Sequence, residues 1–464
     1  MRRLIAIAAA CLLVTACGTA AGGERSVFVD YSHDEFASFM IANFPNEVTV
    51  AAGDTVVFKQ VWTGEPHTVT GGKLVDEMMQ EQGDLIPFVT AYEALAPEVG
   101  LPNPEAEEPP DDTLADIFEK VEGSKNAEMR TQFLESYDGL VEGGLDMPPR
   151  DDPGDTSFAD IVGVIDEKFA EIEEGEGALP WALDETDDGE GFVTQNAGQP
   201  CYLERGLPPE DADKPCTEEQ QVQPAFDGTA SYYNSGIIPY EGPQGNTYRV
   251  ELAEDIEPGS YFFYCAVHGP PQRTEVKVRP AGSEIPSQET VSRRARRQIE
   301  VFAEPMLESF RDARDGEIEV EGEAVEGPFA GLTSASHGSI NEFVPKTIQT
   351  EVGEPVTWKL MGSDHTISFD VPEYFPVIQF ADNGKVALNP RLQPPAGGSP
   401  EIPEGEEGEI LSVDGGTYDG RGFFSSGLFG REPYAEYTLR FSRTGTYKYA
   451  CLLHPPMVGT VEVT

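Results

Sequence analysis

The sequence predicts a mainly β protein of two tandem β-sandwiches, the first interrupted by a large helical insertion. Three observations carry that prediction. Short runs rich in Val, Thr, Tyr and Phe are punctuated by Gly and Pro, the pattern of half-buried strands and turns. A set of such segments occurs twice in the same order, which marks a duplicated unit. Within the first set only, apolar residues recur at three and four over a long interval, the spacing of amphipathic helices.

The duplicated segments place the strands in order. Pro45 stands eight residues before Gly53, and Pro345 eight before Gly353, with apolar alternation on both sides of each Gly. Two strands joined by a tight turn are expected at each. Next come Glu65-Pro66-His67-Thr68-Val69 and Ser363-Asp364-His365-Thr366-Ile367. Tyr232 to Gly236 then matches Phe423 to Gly427, and Gly259 to His268 matches Gly445 to His454. Punctuated strands without a helical period predict an antiparallel sandwich for each set. The units are residues 25–280 and 317–464.

What separates the upstream His from the Cys differs between the two units. In the first, residues about 73–225 contain Leu114 to Val121, Met129 to Leu140 and Phe158 to Phe169, three expected helices joined by acidic, Pro- and Gly-rich linkers. In the second, residues about 370–413 are Pro- and Gly-rich and read as a long ordered loop. The linker 281–316 contains an expected helix, Gln288 to Asp315, which Pro305 should kink or break. The run Arg293 to Arg297 lies near its start, a basic cluster expected to pair with acids of the same chain.

Composition bounds the function. The chain has 464 residues, 39% of them hydrophobic, enough for two or three cores. A net charge of −52 excludes nucleic-acid binding, which needs clustered Lys and Arg to release counterions. Carboxylates are too common here to specify a catalytic pair, and neither a phosphate-cradling Gly motif nor a nucleophile elbow is present. Met1-Arg2-Arg3 followed by apolar Leu4 to Val14 has the form of a secretory signal over residues 1–16. It ends in Leu13-Val14-Thr15-Ala16-Cys17, similar to a bacterial lipobox. The expectation is an extracytoplasmic lipoprotein anchored through Cys17 to the outer face of the cell membrane.

The six cysteines then separate by role. Cys11 lies in the signal and Cys17 is the expected anchor. Cys201 and Cys216 close a short loop and read as a disulfide in an oxidising compartment. Cys265 and Cys451 remain, each at the end of a strand-like run with a His three positions on: His268 and His454. With the upstream His67 and His365, each unit offers one thiolate and two imidazoles. Met457, three beyond His454, adds a fourth, softer donor in the second unit. That set makes the trigonal geometry used for copper electron transfer. Zinc also takes Cys and His, but Met is a poor zinc ligand.

Residues about 317–369 and 414–464 resemble the plastocyanin/amicyanin branch of the cupredoxins. The likeness rests on the short loop from Cys451 through His454 to Met457 and on the closing strand Val458 to Val463. It implies a Greek-key sandwich, one copper, and one-electron transfer through a partly exposed His454. The first unit departs from the pattern, because Pro271 stands where the Met belongs. Aligning Val276 and Val278 with Val461 and Val463 brings Gln272 opposite Met457. A Gln ligand resembles the stellacyanin-like cupredoxins; a three-ligand or degenerate site is the alternative. A Gln oxygen would favour Cu(II) and lower the potential, so electrons would run from the first unit to the second.

Six histidines make three pairs, the last being His33 and His337, each preceded by Ser. They are expected to be exposed or to support the ligands from behind. An electron carrier, with redox partners unknown, is the leading reading and needs no substrate pocket. Copper acquisition or storage is the second. A multicopper enzyme is the third, disfavoured because its extra copper centre needs more histidines than the chain has.

Overall fold

The computed structural model describes residues 23–464 apart from 102–111, 166–178, 183–192, 239–245, 334–337, 381–385, 393–409, 431–433 and isolated positions within 143–155, 180–181, 209–215, 321–322 and 373–374. The expected signal and Cys17 lie outside the described residues. The fold is mainly β. In the first sandwich, one sheet runs Asn43–Phe44, Glu24–Val29, Thr55–Lys59, Thr247–Glu251. The other runs Glu47–Ala51, Gly269–Arg279, Gly259–Cys265, Thr70–Gly71, Tyr232–Asn234, Cys201–Leu203. Val27, Val56, Phe58 and Val250 of one meet Val48, Val50, Phe263 and Val276 of the other in a single core.

The second sandwich repeats the plan. One sheet contains Phe329–Thr333, Pro355–Leu360, Ala435–Phe441 and Leu411–Tyr418; the other contains Thr347–Thr350, Val458–Val463, Gly445–Ala450, Ser368–Phe369 and Phe424–Ser425. Trp358, Tyr437 and Leu439 pack on Phe369, Tyr449 and Val461. Burying large side chains of this kind contributes about 1.5–3 kcal/mol each.

Both sandwiches are mixed rather than antiparallel. Glu24–Phe28 runs parallel to Thr55–Lys59, and Glu47–Ala51 parallel to Glu275–Arg279; Thr347–Thr350 runs parallel to Thr460–Val463. The reason lies in the Gly turns. Gly53 (φ +85°) and Gly353 (φ +88°) adopt the left-handed conformation that costs Gly least, and each carries the chain from one sheet to the other. The strands on either side of the turn therefore pair with distant partners. Alternation reports which face is buried, not strand direction.

Two elements lace the sandwiches together. After Asp30, itself left-handed at φ +67°, the chain crosses over, and Ser38–Met40 adds to the second sandwich beside Gly338–Ile340. There Asn341 donates its amide to the Ala37 carbonyl at 2.7 Å, and Ala37 donates its own to Glu342 Oε1 at 3.0 Å. The helix Gln288–Asp315 continues through Pro305, so of the expected kink or break the break does not occur. Its buried stripe of Ala295, Ile299, Ala303 and Met306 packs with Phe44 from the first unit and Phe329 and Ile340 from the second. That packing holds the helix where one lost backbone bond would otherwise end it. Arg294 pairs with Glu47 at 2.6 Å and Arg293 with Glu289 at 3.5 Å.

The insertion has its own core. Helices Leu114–Glu122 and Ala127–Glu142 are present, and residues 158–165 form the described part of the third. A longer helix, Lys73–Val99, precedes them; Gly83 and Pro87 disguise it in the sequence. Leu85, Phe88 and Tyr92 pack against Phe133, Tyr137 and Ile161. In the second unit, the expected loop instead contains a hairpin, Ile378–Phe380 with Val386–Leu388, and the sandwich strand Leu411–Tyr418 begins before residue 413. Cys201 and Cys216 are disulfide-bonded, with Cα atoms 5.7 Å apart.

Candidate metal centres

In the second sandwich, strand Gly445–Ala450 delivers Cys451 to a tight loop. The loop closes when Met457 donates its amide to the His454 carbonyl at 2.9 Å and Cys451 donates to the Met457 carbonyl at 3.0 Å. His365 arrives from the neighbouring segment, where it exchanges backbone bonds with Phe429 at 3.2 Å. His365 Nδ1 and His454 Nδ1 face each other at 3.0 Å. The Cys451 sulfur lies 3.4 Å from His454 Nδ1 and 4.0 Å from His365 Nδ1. Cys451, both histidines and Met457 are all buried.

The first sandwich assembles the same set. His67 Nδ1 and His268 Nδ1 are 3.1 Å apart, and the Cys265 sulfur is 3.3 Å from His268 Nδ1. Gln272 is buried with its Oε1 3.0 Å from His268 Nδ1, while its amide nitrogen has no partner among the described residues. In each set the three donor atoms lie within 4.8 Å of one another.

The repeated Thr after each upstream His has a structural role that its spacing alone did not assign. The Thr68 amide points at the Cys265 sulfur at 3.4 Å and the Thr366 amide at the Cys451 sulfur at the same distance. The hydroxyl of each Thr accepts the amide after its Cys, from Ala266 at 2.8 Å and Leu452 at 2.9 Å. The repeated Ser-Gly acts similarly. Ser235 Oγ accepts the Val69 amide at 2.8 Å, and Ser426 Oγ the Ile367 amide at 2.9 Å.

Behind the ligands the two centres differ. His67 Nε2 lies 3.1 Å from Asp30 Oδ2, and His268 Nε2 lies 3.7 Å from Glu65 Oε2. His365 Nε2 instead donates to the Met361 carbonyl at 3.1 Å, with Gly331 so close that a Cβ there would fall 2.0 Å from that nitrogen. Burial pushes the His67 imidazole down, but Asp30 and Cys265 reverse this and hold it above its ordinary value. His268 is likewise raised against burial, by Cys265 and Glu65. Cys265, opposed by burial, is held well below the usual thiol range by His268 and His67. In the second centre burial dominates. It lowers His365 to about 4 and His454 well below its ordinary value, and raises the Cys451 thiol.

His454 is not partly exposed. It is fully buried because a segment of the first unit and the crossover strand cover it. Trp62 donates its indole N–H to the Leu453 carbonyl at 3.1 Å, Phe39 stacks at 6.4 Å, and Gly64 lies against the ring. The equivalent His268 keeps 13% of its side chain exposed. His33 joins neither centre; it stacks on Phe36 at 4.6 Å and accepts the Glu35 amide at 3.2 Å. His337 lies outside the described residues.

Two ring nitrogens and one sulfur converging in each set suit a metal ion that takes imidazole and thiolate together. With a Met or Gln alongside, copper fits better than zinc. No family model matches the chain, and no curated protein does. Among solved structures, a purple cupredoxin from Nitrosopumilus maritimus is 24% identical over 27% of this chain and 83% of its own, with a TM-score of 0.15. A plastocyanin from Dryopteris crassirhizoma is 23% identical over 27% of this chain and 89% of its own, also at 0.15. A mutant of amicyanin with Cu(I) is 17% identical over 32% of this chain and 92% of its own, at 0.16. Scores this low carry no argument; the donor sets themselves carry the functional reading.

Proposed function

We propose that the chain is a copper-binding electron carrier with two type 1 centres, held outside the cell membrane by a lipid on Cys17. The observation that supports it is the duplication of a complete thiolate-imidazole set together with the Thr amide aimed at each sulfur. His67, Cys265 and His268 would hold one copper with Gln272 as the weak fourth ligand. His365, Cys451, His454 and Met457 would hold the other. Bound copper supplies a one-electron couple.

The protein's part is to keep both donor sets in place while the charge on the metal changes. Thr68 and Thr366 fix the sulfurs, and Asp30 and the Met361 carbonyl fix the outer nitrogens of His67 and His365, a task whose loss typically costs about 10–100-fold in metal affinity. Asp30 and Glu65 add negative charge behind the first set, which favours the more highly charged cupric ion there. A Gln oxygen acts in the same direction. The second set has a carbonyl and a thioether in those places, so its potential is the higher, and electrons pass from the first centre to the second. Burial of the second donor set supports electron transfer over storage, because handing over a metal requires an open ligand.

Cu(II) titration of the apo chain tests this. Two intense thiolate-to-copper bands are expected, one lost in Cys265→Ser and the other in Cys451→Ser, with reversible voltammetry for each. No intense band in any variant sinks the proposal.

A further inference from the structure

The outer edges of the two loop histidines face adjacent residues. His268 Nε2 points at the carboxylate of Glu65, 3.7 Å away. His454 Nε2 is buried with no hydrogen-bond partner among the described residues, and a Cβ on Gly64 would lie 2.1 Å from His454 Cδ2 and 2.5 Å from Nε2. The backbone of Gly64 therefore rests on that ring. At φ +123° the position suits Gly on conformational grounds as well.

The segment is tied to both centres. On one side Trp62 donates to the Leu453 carbonyl, inside the ligand loop of the second centre. On the other, Thr63 hydrogen-bonds Asp30 Oδ2, the same oxygen that faces His67 Nε2, and the segment ends in His67 itself. Trp62 and Thr63 are both buried.

Resting on the two-copper reading, we infer that Gly64 and Glu65 form the bridge by which the two centres exchange an electron within the chain. With copper held by both donor sets, one electron would leave the first centre and arrive at the second. No bond is made or broken and no proton moves. Since His454 is sealed beneath the bridge, the partly exposed edge of His268 is the port through which an external donor reaches the second centre.

The test uses the full chain with both coppers bound, occupancy being checked from the two thiolate-to-copper bands in every variant. After partial reduction by a pulse of small radical reductant, the wild type should re-equilibrate in a first-order phase independent of protein concentration. Glu65→Ala removes the contact with His268, and Gly64→Val forces the backbone off His454. Each should slow that phase about ten-fold or more. The fully oxidised wild type should also show a magnetic interaction between its two cupric signals by EPR. Re-equilibration that scales with protein concentration, or rates unchanged in Glu65→Ala with both bands intact, overturns the bridge. If Gly64→Val loses the second band, Glu65→Ala decides alone. A wild type without the bands removes the copper reading itself, a separate outcome.

Discussion

The carboxylate of Asp30 stands 3.1 Å from His67 Nε2, and its other oxygen accepts the amide of Met40 at 2.5 Å. One side chain thus orients His67, a proposed ligand of the first centre, and anchors the strand that joins the second sandwich. Asp30→Asn keeps the shape and removes the charge. In a Cys451→Ser background, which isolates the first centre, Cu(II) affinity should fall about 10–100-fold and the midpoint potential should rise. Competitive titration and voltammetry measure both. An unchanged potential would mean that the buried carboxylate does not act on the metal.

The proposed fourth ligands give a second prediction. Gln272 is buried with its Oε1 beside His268 Nδ1, where Met457 occupies the corresponding end of the other loop. Gln272→Met should raise the potential of the first centre and Met457→Gln lower that of the second, each by about 60 mV or more, the one-electron equivalent of a tenfold change in relative stability. Because the exchange is reciprocal, shifts of the same sign in both variants would show that the axial position is not what separates the centres.

Much of this site is visible in the sequence because its pieces are local and repeated. Cys265 with His268 and Cys451 with His454 sit within single turns, and the His-Thr pairs recur in register. Asp30 was hidden for the opposite reason. It is one of 83 acidic residues, and only the fold carries it to His67. The burial of His454 was equally illegible, since it depends on Trp62 and Gly64 from the other sandwich and on Phe39 from the strand that crosses over, and no spacing rule links a turn in one unit to a loop in the next. Ser38–Met40 is too short for alternation to register as a strand. Lys73–Val99 shows the reverse failure. Gly83 and Pro87 weaken its helical pattern, while tertiary packing against Phe133 and Tyr137 sustains it.

The disulfide gives a stability prediction. Cys201 and Cys216 are 15 residues apart and buried, and Cys201 begins the edge strand beside Tyr232–Asn234. Closing a loop of that length restricts the unfolded chain by about 3 kcal/mol. The Cys201→Ser, Cys216→Ser double variant should unfold at lower denaturant concentration by that margin, and dithiothreitol should shift the copper-free wild type to match. Both thiolate-to-copper bands should survive, because neither cysteine belongs to a donor set. Loss of the first band would show that the edge strand positions Cys265.

Asp76 gives the last prediction, a pH dependence unrelated to metal. It lies in the first turn of Lys73–Val99 with Oδ1 buried and without a partner among the described residues, and burial, reinforced by Glu77, raises its pKa from 3.8 to about 7. The folded chain therefore holds a proton there that the unfolded chain has released between those values. Stability from this group is fully present below pH 3.8, declines as pH rises and is gone above about 7. The loss is on the order of 2–4 kcal/mol, set against about 0.3–1 kcal/mol that a negative charge contributes at a helix N-terminus. Asp76→Asn should therefore stabilise the chain at pH 8 and leave it nearly unchanged at pH 4, as read by urea unfolding at the two pH values. Equal effects at both would mean that the carboxyl is ionised in the folded chain.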